Sequence, residues 1–403
     1  QKARIAEGQD LNRGRRALAI LSLAELLGMS VWFAASPVMD QLRATWGLSV
    51  VQSGWFTTAV QLGFVAGTLV VALLNLADVI PSKWLFAGSA LSAGLANASL
   101  LLAGGFMAAV AARFATGFFL AGVYPPGMKM AATWFRSGRG LAIGTLVGAL
   151  TIGKATPYLI GALGGASVRA VVLTTTAAAC VAAALVGLCY RDGPHAFERR
   201  PFSWSLAGQV LKTRRWRLAT GGYLGHMWEL YAFWAWVATY LTASAATRTS
   251  GGLPVPGFGA LEAMAFGAIA VGGLGCVWGG RSADRTSYES LTVRALSASG
   301  VCCLLTPALF GASFWLVFPL VLVWGFFVVA DSAQFSALVT EVVSPHAVGT
   351  ALTLQTSAGF LLTMVTIQLV PEIAGGTGWR WAFPILALGP AFGIGSIRRL
   401  QRL

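Results

Sequence analysis

The chain has 403 residues, of which 56% are hydrophobic and only 10% charged, and its formal net charge is +14. Soluble proteins carry roughly 25% charged residues, so an ordinary soluble enzyme is excluded. Disorder, which needs low hydrophobicity and high charge, is excluded as well, and a polytopic membrane protein remains.

Runs of about 20 apolar residues can cross a hydrocarbon core of about 30 Å as helices. Twelve such spans are expected, at 17–39, 52–74, 84–104, 107–132, 140–163, 168–190, 216–242, 259–280, 291–311, 314–340, 347–370 and 379–397. They are continuously apolar, whereas barrel strands alternate, so the expected fold class is all-α. The basic start leads straight into a span-length segment, so no cleavable signal peptide is expected. With the N-terminus inside, inner loops, tails and the inner ends of spans (Arg217 and Arg294 among them) hold 21 Lys/Arg and outer loops four, with three more, Arg113, Lys129 and Lys154, inside spans. The positive-inside rule then places both termini in the cytoplasm. The basic excess reads as an orientation signal and a contact with anionic lipid headgroups, not as a nucleic-acid surface. Cys180, Cys189, Cys276, Cys302 and Cys303 all lie in apolar runs and read as small buried hydrophobes. No CxxC or His/Cys cluster points to a metal site, and no cofactor is expected.

Residues 191–215 form the only long polar inner segment. It divides the chain into an N-terminal half, 1–190, and a C-terminal half, 216–403, and invites a search for repetition. Glu25-Leu26 and Trp32 reappear as Glu229-Leu230 and Trp236 at an offset of 204. Leu76-Ala77-Asp78 corresponds to Ser282-Ala283-Asp284-Arg285, and Gly117-Phe118-Phe119 to Gly325-Phe326-Phe327, at offsets of 206 and 208. A parallel duplication of six spans is a known transporter plan.

On these features the chain resembles the major facilitator superfamily over nearly its whole length. Gly280, Asp284 and Arg285 match the family's inner-loop signature between spans 8 and 9, while its first copy keeps only Asp78 and Lys83. Arg113 and Gly117 look like the family's Arg-x-x-x-Gly element in span 4. The resemblance implies two pseudo-symmetric six-helix bundles that rock around a central cavity, and a monomeric transporter in a bacterial inner membrane. It also implies that Asp78, Asp284 and Arg285 latch one state. Simple capping of inner helix ends is the alternative.

A charge at the bilayer centre costs about 2.5–3.5 kcal/mol even on a lenient scale, so each intramembrane charge needs a partner, a cavity or a proton. The set read from the spans is Glu25, Arg113, Lys129, Lys154, Glu229 and Asp331, with His226 beside Glu229. At about 1.5 Å per residue, Glu25 and Glu229 lie near the midplane. Glu25, Gly28, Met29, Trp32 and Ser36 share one helical face, and so do His226, Glu229, Phe233, Trp236 and Tyr240. The family places spans 1 and 7 along the cavity, which sets two carboxylates on facing helices. Burial disfavours an ionised carboxylate, so such groups can take up and release protons; neutral or ion-paired packing, for example Glu25 with Lys154, is the alternative. His226 is expected to pair with Glu229, and Lys129 to snorkel to the headgroups. Trp234 is expected to face lipid. Asp331 and Gln334 share a face of span 10, and Thr151, Lys154 and Tyr158 one of span 5. The first half carries +2 inside its spans and the second −2, which suggests a solute with an anionic group toward Lys154 and a cationic or proton-bearing end toward Glu229.

The expected function is proton-coupled secondary transport of a small polar or charged solute. An uncoupled facilitator, a nitrate- or nitrite-like anion porter, and a metal-ion or metal-chelate transporter are the alternatives. No GxSxG, HExxH or nucleophile set suggests an enzyme. The candidate solute and proton residues are Glu25, Trp32, Arg113, Lys154, His226, Glu229, Trp236, Asp331 and Gln334.

Overall fold

The structure is a computed structural model that describes residues 2–135, 139–164, 167–195, 203–283 and 285–403. Among the described residues, nine helices are long and apolar enough to cross a membrane. They are Val50–Leu73, Ser82–Leu102, Phe106–Ala132, Gly140–Leu163, Val168–Cys189, Gly259–Ala283, Tyr288–Leu309, Phe314–Val342 and Pro345–Thr377. They coincide with the expected spans 2–6 and 8–11.

The other three expected spans take different forms. Span 1 is a helix over Lys2–Met29, well short of residue 39. Span 7 is a single helix over Arg214–Ser250, longer than expected at both ends. Span 12 opens with two 3-10 turns, Trp379–Trp381 and Pro384–Ala387, before the helix Leu388–Leu400.

The boundaries have local causes. Ser49 opens span 2 with a capping box: its hydroxyl accepts from the Gln52 N–H at 3.1 Å, and its N–H donates to the Gln52 side chain at 2.8 Å. The span 1 helix ends at Met29, and Pro37, which has no N–H, sits in the 3-10 turn that follows. Residues 30–35 are turns, and the chain resumes as a 3-10 turn at Ser36–Val38. Span 4 breaks at 121–123, and Pro125 and Pro126 begin its second helix, Tyr124–Ala132. Span 10 breaks at Asp331.

Spans 1–6 pack among themselves and spans 7–12 do the same, while span 5 lies against span 8 and span 2 against span 11 across a seam. The internal repeat is visible in the packing. A Cβ on Gly117 would run into the Val60 carbonyl, and one on Gly325 into the Ala268 carbonyl. Gly67 and Gly275 stand in the same way against the carbonyls of Phe118 and Phe326. Each contact is displaced from its counterpart by 208 residues. Small residues also close the seam: a Cβ on Gly148 would stand 2.8 Å from the Gly273 carbonyl, and one on Gly144 2.9 Å from that of Cys276.

Candidate functional site

Lys154 sits on span 5 at the seam and is 3% exposed. Its ammonium donates a 2.5 Å hydrogen bond to the Tyr231 hydroxyl. It also lies 4.1 Å from the Trp32 ring centroid, 4.8 Å from Tyr231 and 5.2 Å from Trp234. Both bundles therefore contribute to one aromatic cage. Among the described residues no carboxylate lies within ion-pair distance of Lys154. Cation–π contacts replace the counter-ion.

The break in span 1 builds one wall of this cage. Unwinding at 30–35 carries Trp32 out of line with Glu25 and onto span 7, where its ring meets Tyr231 at 5.8 Å. Phe33 meets Trp234 edge-on at 6.4 Å. Behind Trp32, Phe64 of span 2 and Phe360 of span 11 pack at 4.6 Å and complete a plug across the seam. Among the described residues the buried indole N–H groups of Trp32 and Trp234 reach no hydrogen-bond acceptor. The cage thus holds an ammonium, and two of its rings carry unused N–H donors. Expected to face lipid, Trp234 is instead 1% exposed and part of the cage. A rotation of one residue along a helix moves a side chain by 100°, and the apolar pattern around span 7 is too uniform to select the face.

Glu25 is within electrostatic range of Lys154 but forms no ion pair with it, and neither of its buried oxygens has a hydrogen-bond partner. It packs against Gly127 of span 4, where a Cβ would collide with the carboxyl group, and near Phe86 of span 3. Glu229 is turned into the other bundle. It accepts from Ser299 at 2.9 Å, from the Cys303 thiol at 3.2 Å and from the Trp324 indole N–H. The two carboxylates do not face one another: each points into its own bundle, because the stripe that carries it packs on its own neighbours. The rest of the span 7 stripe follows, with Phe233 on Trp324 at 4.3 Å and the Tyr240 hydroxyl on the Thr306 carbonyl at 2.8 Å.

His226 pairs with Asp331, not Glu229: its Nδ1 lies 2.9 Å from the Asp331 carboxylate, and both are 1% exposed. The pair joins span 7 to the break in span 10. Gln334 follows one turn later, buried, with its Oε1 unpartnered. Trp236 donates to the Ile367 carbonyl at 2.8 Å and stacks near Trp379, which ties span 7 to span 11 away from the cage.

Arg113 is consumed by the fold. Its guanidinium donates to the Val31 carbonyl at 3.0 Å, to the Trp32 carbonyl, and to Asn97 at 2.9 Å. The Trp32 carbonyl lies in the span 1 break, where at membrane depth it needs a donor; the Val31 carbonyl also accepts from the Ala34 N–H at 3.4 Å. Asn97 in turn donates to Thr175 and to the Val172 carbonyl of span 6, at 3.1 and 3.2 Å. Arg113 therefore shapes the Trp32 loop and does not reach the cage, and the +2/−2 polarity does not describe the site. Lys129 is half-buried in the last turn of its helix. Arg285 is exposed. Asp284 and the side chain of Asp78 lie outside the described residues, so the latch is not seen.

Tyr231 and Glu262 also belong to the seam, and neither stood among the candidate residues. Glu262 is 5% exposed, near the start of span 8 beside Gly161, with Oε2 unpartnered. Its position inside the apolar run 259–280 was the available signal.

Residues 21–367 match the family described as Major Facilitator Superfamily. No curated protein matches the sequence. Solved structures do match in fold. A bacterial homolog of the human lysosomal transporter Spinster is 16% identical, with 97% of this chain and 98% of that one covered and a TM-score of 0.71. The nucleoside transporter NupG is 15% identical, with 95% and 99% covered and a TM-score of 0.71. The human organic anion transporter MFSD10 (TETRAN) gives the same 15%, 95%, 99% and 0.71.

Proposed function

Because the chain belongs to the major facilitator superfamily of membrane transporters, we propose that it moves a small solute bearing an anionic group, by alternating access and coupled to protons. One observation carries this reading: the aromatic cage around Lys154, closed by residues from both bundles. A buried cation without a counter-ion attracts an anion strongly in low dielectric. The two free indole N–H groups add directional donors, and the rings add faces for an organic body. Glu25 is the proton site, since a buried carboxyl without hydrogen bonds is costly until a proton or a solute donor reaches it. The small-residue seam between spans 5 and 8 allows the bundles to part and reclose. The bundles comprise 1–190 and 216–403 around a cytoplasmic segment, 191–215, both termini face the cytoplasm of a bacterial cell, and the monomer is the working unit.

Proteoliposomes loaded with a pH gradient and offered a panel of organic acids test the coupling. Uptake above equilibrium is expected with the wild type. Glu25→Gln is expected to keep exchange at equal pH and lose gradient-driven accumulation. Intact accumulation in Glu25→Gln would remove Glu25 from the coupling, whereas a wild type that takes up solute only to equilibrium would support an uncoupled facilitator, a reading favoured by Glu229, whose oxygens are already held by three donors.

A further inference from the structure

A groove of about 800 Å³ runs along the outside of the second bundle between spans 9 and 10. Val301, Leu305 and Val323 form its exposed walls, and Cys302 and Leu320 its buried floor. The lining is mainly apolar, with Arg294 and, one turn on, Ser297 at one end. Arg294 is exposed, and among the described residues it makes neither an ion pair nor a hydrogen bond. It stands six residues into Tyr288–Leu309, about 9 Å from the helix start, within reach of the headgroup layer by snorkelling.

From this geometry we infer that the groove is a binding site for one anionic glycerophospholipid, taken from the leaflet at the Tyr288 end of span 9. The phosphate pairs with the Arg294 guanidinium, whose planar fork matches phosphate oxygens, and one acyl chain fills the groove. The lengths agree. From Arg294 to Leu305 the helix rises about 16 Å, and one leaflet supplies about half of a 30 Å core. A generic lipid annulus would explain neither the concavity nor its single cation.

The purified full-length chain, titrated in mixed micelles with dioleoyl phosphatidylglycerol or dioleoyl phosphatidylcholine, tests the site by native mass spectrometry. Retention of the anionic lipid is expected to exceed that of the zwitterionic one by about fivefold, the value of one surface cation. Arg294→Gln brings the ratio to parity, and Arg294→Lys preserves it. Ala298→Trp, which fills the groove, lowers retention of both lipids. Equal retention by the wild type, or an unchanged preference in Arg294→Gln, overturns the assignment. So does binding of free glycerol phosphate with equal strength, which would make this a site for soluble anions.

Discussion

Lys154 and Arg113 are both buried cations, and their neighbours assign them opposite duties. Arg113 gives both terminal nitrogens to backbone carbonyls and Asn97; Lys154 has one hydroxyl and three ring faces. A cation bound to backbone carbonyls holds structure, and one held mainly by ring faces is available to a solute. Arg113→Leu leaves the Trp32 carbonyl and the Asn97 side-chain oxygen without this donor, at about 1–3 kcal/mol each. It is therefore expected to lower the thermal midpoint sharply in detergent, whereas Lys154→Met is expected to leave the midpoint unchanged or raised. Equal losses in both variants would contradict this division. The identities of these charges were legible in the sequence, because charges inside apolar runs stand out. Their partners were not. Backbone carbonyls carry no sequence signature, and the His226–Asp331 contact joins residues whose proximity only the packing of spans 7 and 10 decides.

At the scale of the element, helix breaks position the site. Span 1 ends early as a helix, at Met29, so Trp32 leaves the face of Glu25 and closes the cage; the paired prolines of span 4 and Asp331 in span 10 mark further breaks. Span positions were readable from apolar length. The facing of spans 1 and 7 was not readable, because the 3.6-residue rule assumes an unbroken helix and span 1 is broken. The seam itself is a small-residue contact between spans 5 and 8. Gly148→Leu would drive a side chain into the Gly273 carbonyl and hold the bundles apart. Its expected effect is loss of transport in proteoliposomes with both bundles still folded, read as an unchanged far-ultraviolet helix signal. Wild-type transport rates in this variant would show that the seam tolerates separation.

In the whole molecule, one repeat of six spans is laid down twice, and the glycine contacts of spans 2 and 4 recur in spans 8 and 10 at a constant offset of 208 residues. Chemistry does not follow this symmetry. The first half supplies Lys154 and Trp32 at the seam, whereas the second supplies Tyr231 and Trp234 there. In the present conformation the cage is shut off from water, with Trp32 and Trp234 each 1% exposed, so a solute enters only when the bundles part. The most direct measurement is the thermal midpoint of the wild type and of Lys154→Met against organic carboxylates and their neutral amides. At a hundredfold excess over Kd, a bound solute stabilises by about 2.7 kcal/mol. The account predicts at least one carboxylate that raises the wild-type midpoint, no rise with its amide, and no rise with either in Lys154→Met. Equal stabilisation by acid and amide, or a full response in Lys154→Met, would contradict it.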